Sequence, residues 1–144
     1  NAFAKNVRST FSIGIVQSHL RSSLTDVMSA VVKNRVPVLN AELVIQLKAR
    51  GVLETPLLAK MLLEKKDVDA VVVLGAVIKG ETAHDQLVVE QATRALVNLS
   101  LSFSKPVGVG IIGPGVTLEQ AQARVAEYAQ GALDAVACTH NAVA

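Results

Sequence analysis

The 144-residue chain has no tryptophan, one tyrosine, three phenylalanines and a single cysteine, and each shortage excludes something. With aromatics at 3% there are too few rings to stack successive bases, and a net charge of +2 from dispersed Lys and Arg lacks the basic footprint of a nucleic-acid binder. No nucleic-acid partner is expected. Cys138 stands alone near the C-terminus with no base beside it in sequence, so it reads as a helix-packing or surface thiol rather than a nucleophile. Three histidines without Cys or closely spaced carboxylates argue against a metal site. No apolar run approaches the ~20 residues of a membrane span. The N-terminus also lacks the apolar run of a signal peptide, so a cytoplasmic protein with no membrane partner is expected.

What is present is aliphatic. Hydrophobic residues make up 51% of the chain, mostly Val, Leu, Ile and Ala, the composition of a parallel sheet buried between helices. The length fits one domain that folds without disulfides or metal. Residues 1–10 are polar and irregular and read as a flexible arm or an edge strand seeking a partner; the domain spans 11–144. FSIGIVQ (11–17) predicts a first strand, and apolar spacing from Leu24 through Val27, Met28 and Val31 predicts a helix after it. AELVIQL (41–47) predicts a second strand. Pro56 suits the first turn of a second helix that carries Leu57, Leu58, Met61 and Leu62 and ends near Lys65 and Lys66. A third strand covers Ala70 to Ala76, and a long helix after His84 places Leu87, Val88, Ala92, Ala95, Leu96 and Leu99 at helical spacing. VGVGII (107–112) is the fourth strand. Thr117 and Gln120 form a capping box that opens a last helix reaching about Ala137. Four βα units in succession predict an α/β fold, a single three-layer α/β/α domain with a four-stranded parallel sheet.

Ligands of such sheets bind beyond the carboxyl ends of the strands. The polar residues gather there, at His19 to Arg21, at Arg50 to Glu54, at Lys79 to His84, and at Gly113 to Gly115. The richest of these is GAVIKGETAHDQ (75–86). Gly80 lets the backbone approach a ligand, and the N–H groups of Glu81 and Thr82 at a helix start can bind an anion with help from the helix dipole. The imidazole of His84 can give and take protons near neutrality. Read alone, Thr82 is equally a helix cap and His84 a solvated surface residue. Arg124, early in the last helix and flanked by Ala121 and Ala123, can fork onto a phosphate or simply face solvent. Glu54 can accept from ligand N–H groups or cap the helix that follows.

Gly108, Gly110 and Gly113 spell the dinucleotide fingerprint G-x-G-x-x-G. Its context is wrong, because the fingerprint belongs after a first strand with an acidic strand end some twenty residues on, whereas these glycines lie in the last strand. Close helix packing, or close approach of a neighbouring subunit, accounts for Gly108 and Gly110 better.

Together these segments resemble the lumazine synthases, especially their archaeal branch, over residues 11 to about 137. GAVIKGETAHD matches the family's segment around its catalytic histidine, KPVGVGIIGPGVT its fourth strand and loop, and LEQAQARV the helix bearing its phosphate-binding arginine. The resemblance implies condensation of 5-amino-6-(D-ribitylamino)uracil with 3,4-dihydroxy-2-butanone 4-phosphate to 6,7-dimethyl-8-ribityllumazine, phosphate and water, a step of riboflavin biosynthesis that needs no cofactor. It further implies that His84 is the proton donor, that Glu81, Thr82 and Arg124 bind the phosphate, and that the pyrimidine is held by Leu20, Val52, Leu53, Glu54, Ala76, Val77, Ile78 and Val109. Family members form homopentamers with sites between subunits, some assembling into sixty-subunit icosahedral shells, so Arg124 and Val109 are expected from the neighbour of the subunit supplying His84.

The chain departs from the family pattern at Leu20 and Arg21, where Phe-Asn is common, and at Arg50 and Leu53, where Pro and Phe are usual. Both stacking rings are replaced by leucine. A relative with another ligand, such as archaeal-type riboflavin synthase, or a pure assembly module, is the alternative reading.

Overall fold

The computed structural model describes residues 10–80 and 83–144. Except for Thr10, the expected N-terminal arm lies outside the described residues, as do Glu81 and Thr82. The chain alternates β1 (Phe11–Ser18), α1 (Ser22–Arg35), β2 (Ala41–Ala49), α2 (Thr55–Leu63), β3 (Ala70–Ile78), α3 (Asp85–Phe103), β4 (Val107–Val116) and α4 (Leu118–Val143). Short 3₁₀ turns at Val36–Leu39 and Val52–Glu54 precede β2 and α2. All strand pairs are parallel, in the order β2-β1-β3-β4. Parallel neighbours need a long crossover, and each crossover here contains a helix.

β3 explains the aliphatic composition. All nine of its residues are buried, because β1 and β4 flank it and helices cover both faces. Ala70, Val72, Leu74, Ala76 and Ile78 pack into the layer of α1 and α4, while Val71, Val73 and Val77 pack into that of α2 and α3. Burying each of these larger side chains is worth roughly 1.5–3 kcal/mol relative to leaving it in water. The sheet is pinned at its amino end, where Asp69 N–H donates to Ser12 O at 2.8 Å and Asp69 Oδ2 accepts from Ser12 N–H at 2.7 Å. Lys105 Nζ donates to the carbonyls of Leu63 and Lys65 at 2.9 and 3.0 Å, placing a cation at the C-terminus of α2.

The two glycines at the start of β4 admit α4. A Cβ on Gly108 would stand 2.3 Å from Ala132 O, and one on Gly110 3.1 Å from Ala132 Cβ. They serve helix packing, in agreement with the reading against a nucleotide fingerprint. The capping box is formed as expected, with Gln120 N–H donating to Thr117 Oγ1 at 3.1 Å and Thr117 N–H to Gln120 Oε1 at 3.0 Å.

Several boundaries differ from expectation. β2 continues through Ala49, β3 through Ile78 and β4 through Val116, so Gly113 to Gly115 belong to the end of a strand rather than to a loop. Partner strands cause this, since Ala49 pairs with Ser18 and Ile78 with Val116. α4 runs past Ala137 to Val143, and His140 stacks on Phe11 with ring centroids 4.4 Å apart. His84 is the N-cap of α3 rather than a residue of its first turn.

Candidate active site

The strand order makes the site's position a matter of topology. From β1 the chain goes outward to β2 on one side and later returns to β3 on the other, so the loops leaving β1 and β3 diverge and open a crevice between them. A cavity of about 160 Å³ occupies it. Ser18 and Leu20 contribute from the end of β1, and Ala76 and Val77 from the end of β3. The turn after β2 supplies Arg50, Gly51, Val52, Leu53 and Glu54, and α3 supplies Val88. A larger hollow of about 430 Å³ lies at the amino end of β4, beside Lys105, Pro106 and Thr139, and contains none of these residues.

Backbone hydrogen bonds hold the walls. His19 N–H donates to Ala49 O at 2.7 Å and Leu20 N–H to Arg50 O at 3.0 Å, locking the loop after β1 to the end of β2. Glu54 Oε1 accepts from Gly51 N–H at 2.9 Å while Glu54 N–H donates to Gly51 O at 3.2 Å. The Glu54 carboxylate thus braces the 3₁₀ turn instead of capping α2, at whose N-cap it makes no side-chain hydrogen bond, and it lines the cavity as well. Thr55 Oγ1 donates to Val52 O at 2.7 Å and fixes the same turn from beneath. Leu20 and Leu53 are 46% and 52% exposed, forming an aliphatic rim.

His84 stands one turn before Val88, whose N–H donates to the His84 carbonyl at 2.9 Å; its side chain is exposed and is not among the residues that line the cavity. The turn that presents it is tied at both ends. Lys79 N–H donates to Val116 O at 2.7 Å, and Gly80, with φ of 84°, donates its N–H to Asp85 Oδ2 at 3.0 Å. An acidic residue in the first turn of α3 complements the helix dipole and closes the loop on itself.

Of the residues expected around a pyrimidine, Leu20, Val52, Leu53, Glu54, Ala76 and Val77 meet at this one cavity. Ile78 and Val109 do not. Ile78 is buried with the α1 and α4 layer, and Val109, on β4, packs against the α2 and α3 cluster. Arg124 is exposed on α4, in the layer across the sheet from the cavity. Glu81 and Thr82 lie outside the described residues. Two wall residues were not anticipated. Val88 is discoverable from its four-residue spacing to His84, whereas the presence of Ser18 depends on which face of β1 looks into the crevice. Among the described residues no group of three or more His, Cys, Asp or Glu is placed to hold a metal ion, and no helix is long and apolar enough to cross a membrane.

Known proteins resemble the chain over nearly its whole length. The sequence profile of 6,7-dimethyl-8-ribityllumazine synthase matches residues 10–144. A protein of that name from Saccharolobus islandicus is 47% identical over 123 residues, covering 85% of this chain and 80% of the relative. Those from Metallosphaera sedula and Staphylothermus marinus are 44% and 46% identical, covering 88% and 87% of this chain and 83% of each relative. With the sheet order, the crevice and these likenesses in agreement, the chain belongs to the 6,7-dimethyl-8-ribityllumazine synthase family.

Proposed function

We propose that this chain is a lumazine synthase, a transferase of riboflavin biosynthesis that condenses 5-amino-6-(D-ribitylamino)uracil with 3,4-dihydroxy-2-butanone 4-phosphate. The observation that carries the reading is the cavity at the divergence of β1 and β3, walled by Leu20, Val52, Leu53, Glu54, Ala76 and Val77 in a chain of this family. The substrates bring their own amine and ketone, so no protein nucleophile is needed. The pyrimidine amine adds to the ketone and water leaves to give an imine; phosphate is then eliminated, and the second amine closes the ring with loss of another water. The protein's work is to hold the partners together and to move protons. His84, at the N-cap of α3, is the proton carrier. Glu81, Thr82 and Arg124 take the phosphate.

Assembly completes this site. Arg124 and Val109 do not line the cavity, so in a homopentamer with sites between subunits both would come from the adjacent chain. The cytoplasm is the expected compartment, since both substrates are small polar metabolites. Given both substrates, the purified protein should form fluorescent lumazine above the spontaneous rate, and absence of that excess would sink the reading.

Arg124→Ala should raise KM for the butanone phosphate about 10-fold by removing a charge-assisted pair. The KM for the pyrimidine should stay within about two-fold, because a phosphate contact does not touch that ring. Steady-state kinetics with each substrate varied in turn checks both values.

One feature favours a second reading. The aliphatic rim of Leu20 and Leu53, where rings are usual, suits a relative whose ligand is not a stacked pyrimidine. Calorimetry with the ribityl pyrimidine separates the two, since saturable heat supports the synthase and its absence supports the relative.

A further inference from the structure

We infer that Ser18 is a substrate-binding residue whose hydroxyl hydrogen-bonds a polar edge of the bound pyrimidinedione at the floor of the cavity. This rests on the proposed synthase reading and adds a contact to it. Ser18 is fully buried, lines the cavity, and its Oγ has no hydrogen-bond partner among the described residues. Buried hydroxyls are nearly always paired, so an orphan beneath a ligand cavity points to a ligand atom as the missing partner. Its surroundings offer little else. Leu20, Val52, Leu53, Ala76, Val77 and Val88 give the wall mostly aliphatic side chains, and neither of its polar ones, Arg50 and Glu54, hydrogen-bonds the Ser18 hydroxyl. The Ser18 carbonyl is already engaged, accepting from Thr25 Oγ1 at 2.7 Å, so the backbone is fixed while rotation about χ1 can still aim the oxygen. Space beside it is kept by Gly75, on which a Cβ would stand 3.6 Å from Ser18 Cβ and 2.9 Å from Val52 Cγ2. A hydroxyl both donates and accepts, which suits the alternating C=O and N–H edge of a pyrimidinedione and would discriminate against an apolar ring.

The test is Ser18→Ala in the full-length protein, read by calorimetry with 5-amino-6-(D-ribitylamino)uracil, by KM for each substrate and by thermal midpoint. Affinity for the pyrimidine should fall about 5- to 10-fold, the worth of one neutral hydrogen bond. KM for the butanone phosphate should not change. The thermal midpoint should be equal or higher, because the variant removes an unsatisfied buried oxygen. Affinity equal to that of the parent would overturn the assignment, and so would a lost affinity accompanied by a lower midpoint or by a parallel rise in both KM values, which would mark a structural role. The parent protein separates this inference from the activity beneath it. Binding of the pyrimidine without turnover overturns the synthase reading and leaves Ser18 standing, whereas no binding at all overturns both.

Discussion

His84→Ala is expected to lower kcat about 100-fold while the affinity for the pyrimidine stays within about two-fold, which would be the signature of losing a positioned proton carrier rather than a binding contact. The imidazole is exposed at the N-cap of α3, one turn from Val88 in the cavity wall, so truncating it opens no core void and the fold should tolerate the change. In the proposed mechanism the variant would lose proton delivery to the departing hydroxyl of the carbinolamine and to the ring-closing step. The residual rate should remain above the spontaneous one, since holding amine and ketone together is itself effective. Single-turnover formation of lumazine fluorescence reads the chemical step directly. A variant as fast as the parent would remove His84 from the mechanism and leave orientation as the sole source of catalysis.

Gly108→Ala is expected to destabilise the fold by about 3 kcal/mol, the upper end of what an added core methyl does when its neighbour cannot yield. A methyl there would lie 2.3 Å from Ala132 O and 2.8 Å from Val136 Cγ2. The first contact is with helix backbone, so relief requires moving α4 bodily away from β4, and Ala129, Leu133 and Ala137 would lose their packing with it. For a chain of this length the thermal midpoint should drop by roughly 10 °C, measured at equal protein concentration because assembly also shifts it. A midpoint unchanged to within a degree would show that α4 is free to shift. Gly131→Ala, at an exposed helix position where a Cβ meets nothing within 4 Å, is the control and should be neutral or slightly stabilising.

Much of this architecture was legible because it is written in local patterns. Thr117 and Gln120 are three residues apart and satisfy one another, so the start of α4 needs no tertiary information. The burial of β3 follows from a run with hardly a polar atom. Strand ends were harder. Lys48 and Ala49 extend β2 because they pair with Gln17 and Ser18, and β3 and β4 extend because Ile78 pairs with Val116 beyond an irregular stretch, pairings that no short window contains. Near the end of α4, His140 stacks on Phe11 at the start of β1, a contact between residues far apart in sequence. The site divides in the same way. Residues on turns, such as Leu20 and Leu53, announce themselves by position. Ser18 does not, because the burial of a serine and the lack of a partner for it are properties of the packed state alone.

β3 carries the site's far wall at one end and is closed in on every side. Opening free energies differ across a protein, from near zero in frayed loops to the global value at the centre, and β3 has no neighbour that can be peeled away cheaply. Any adjustment of the crevice to a ligand therefore falls to the side chains facing β3, such as the half-exposed Leu20 and Leu53, rather than to β3 itself. The crevice thus has one fixed jamb, a strand that keeps the same alignment until the whole molecule unfolds.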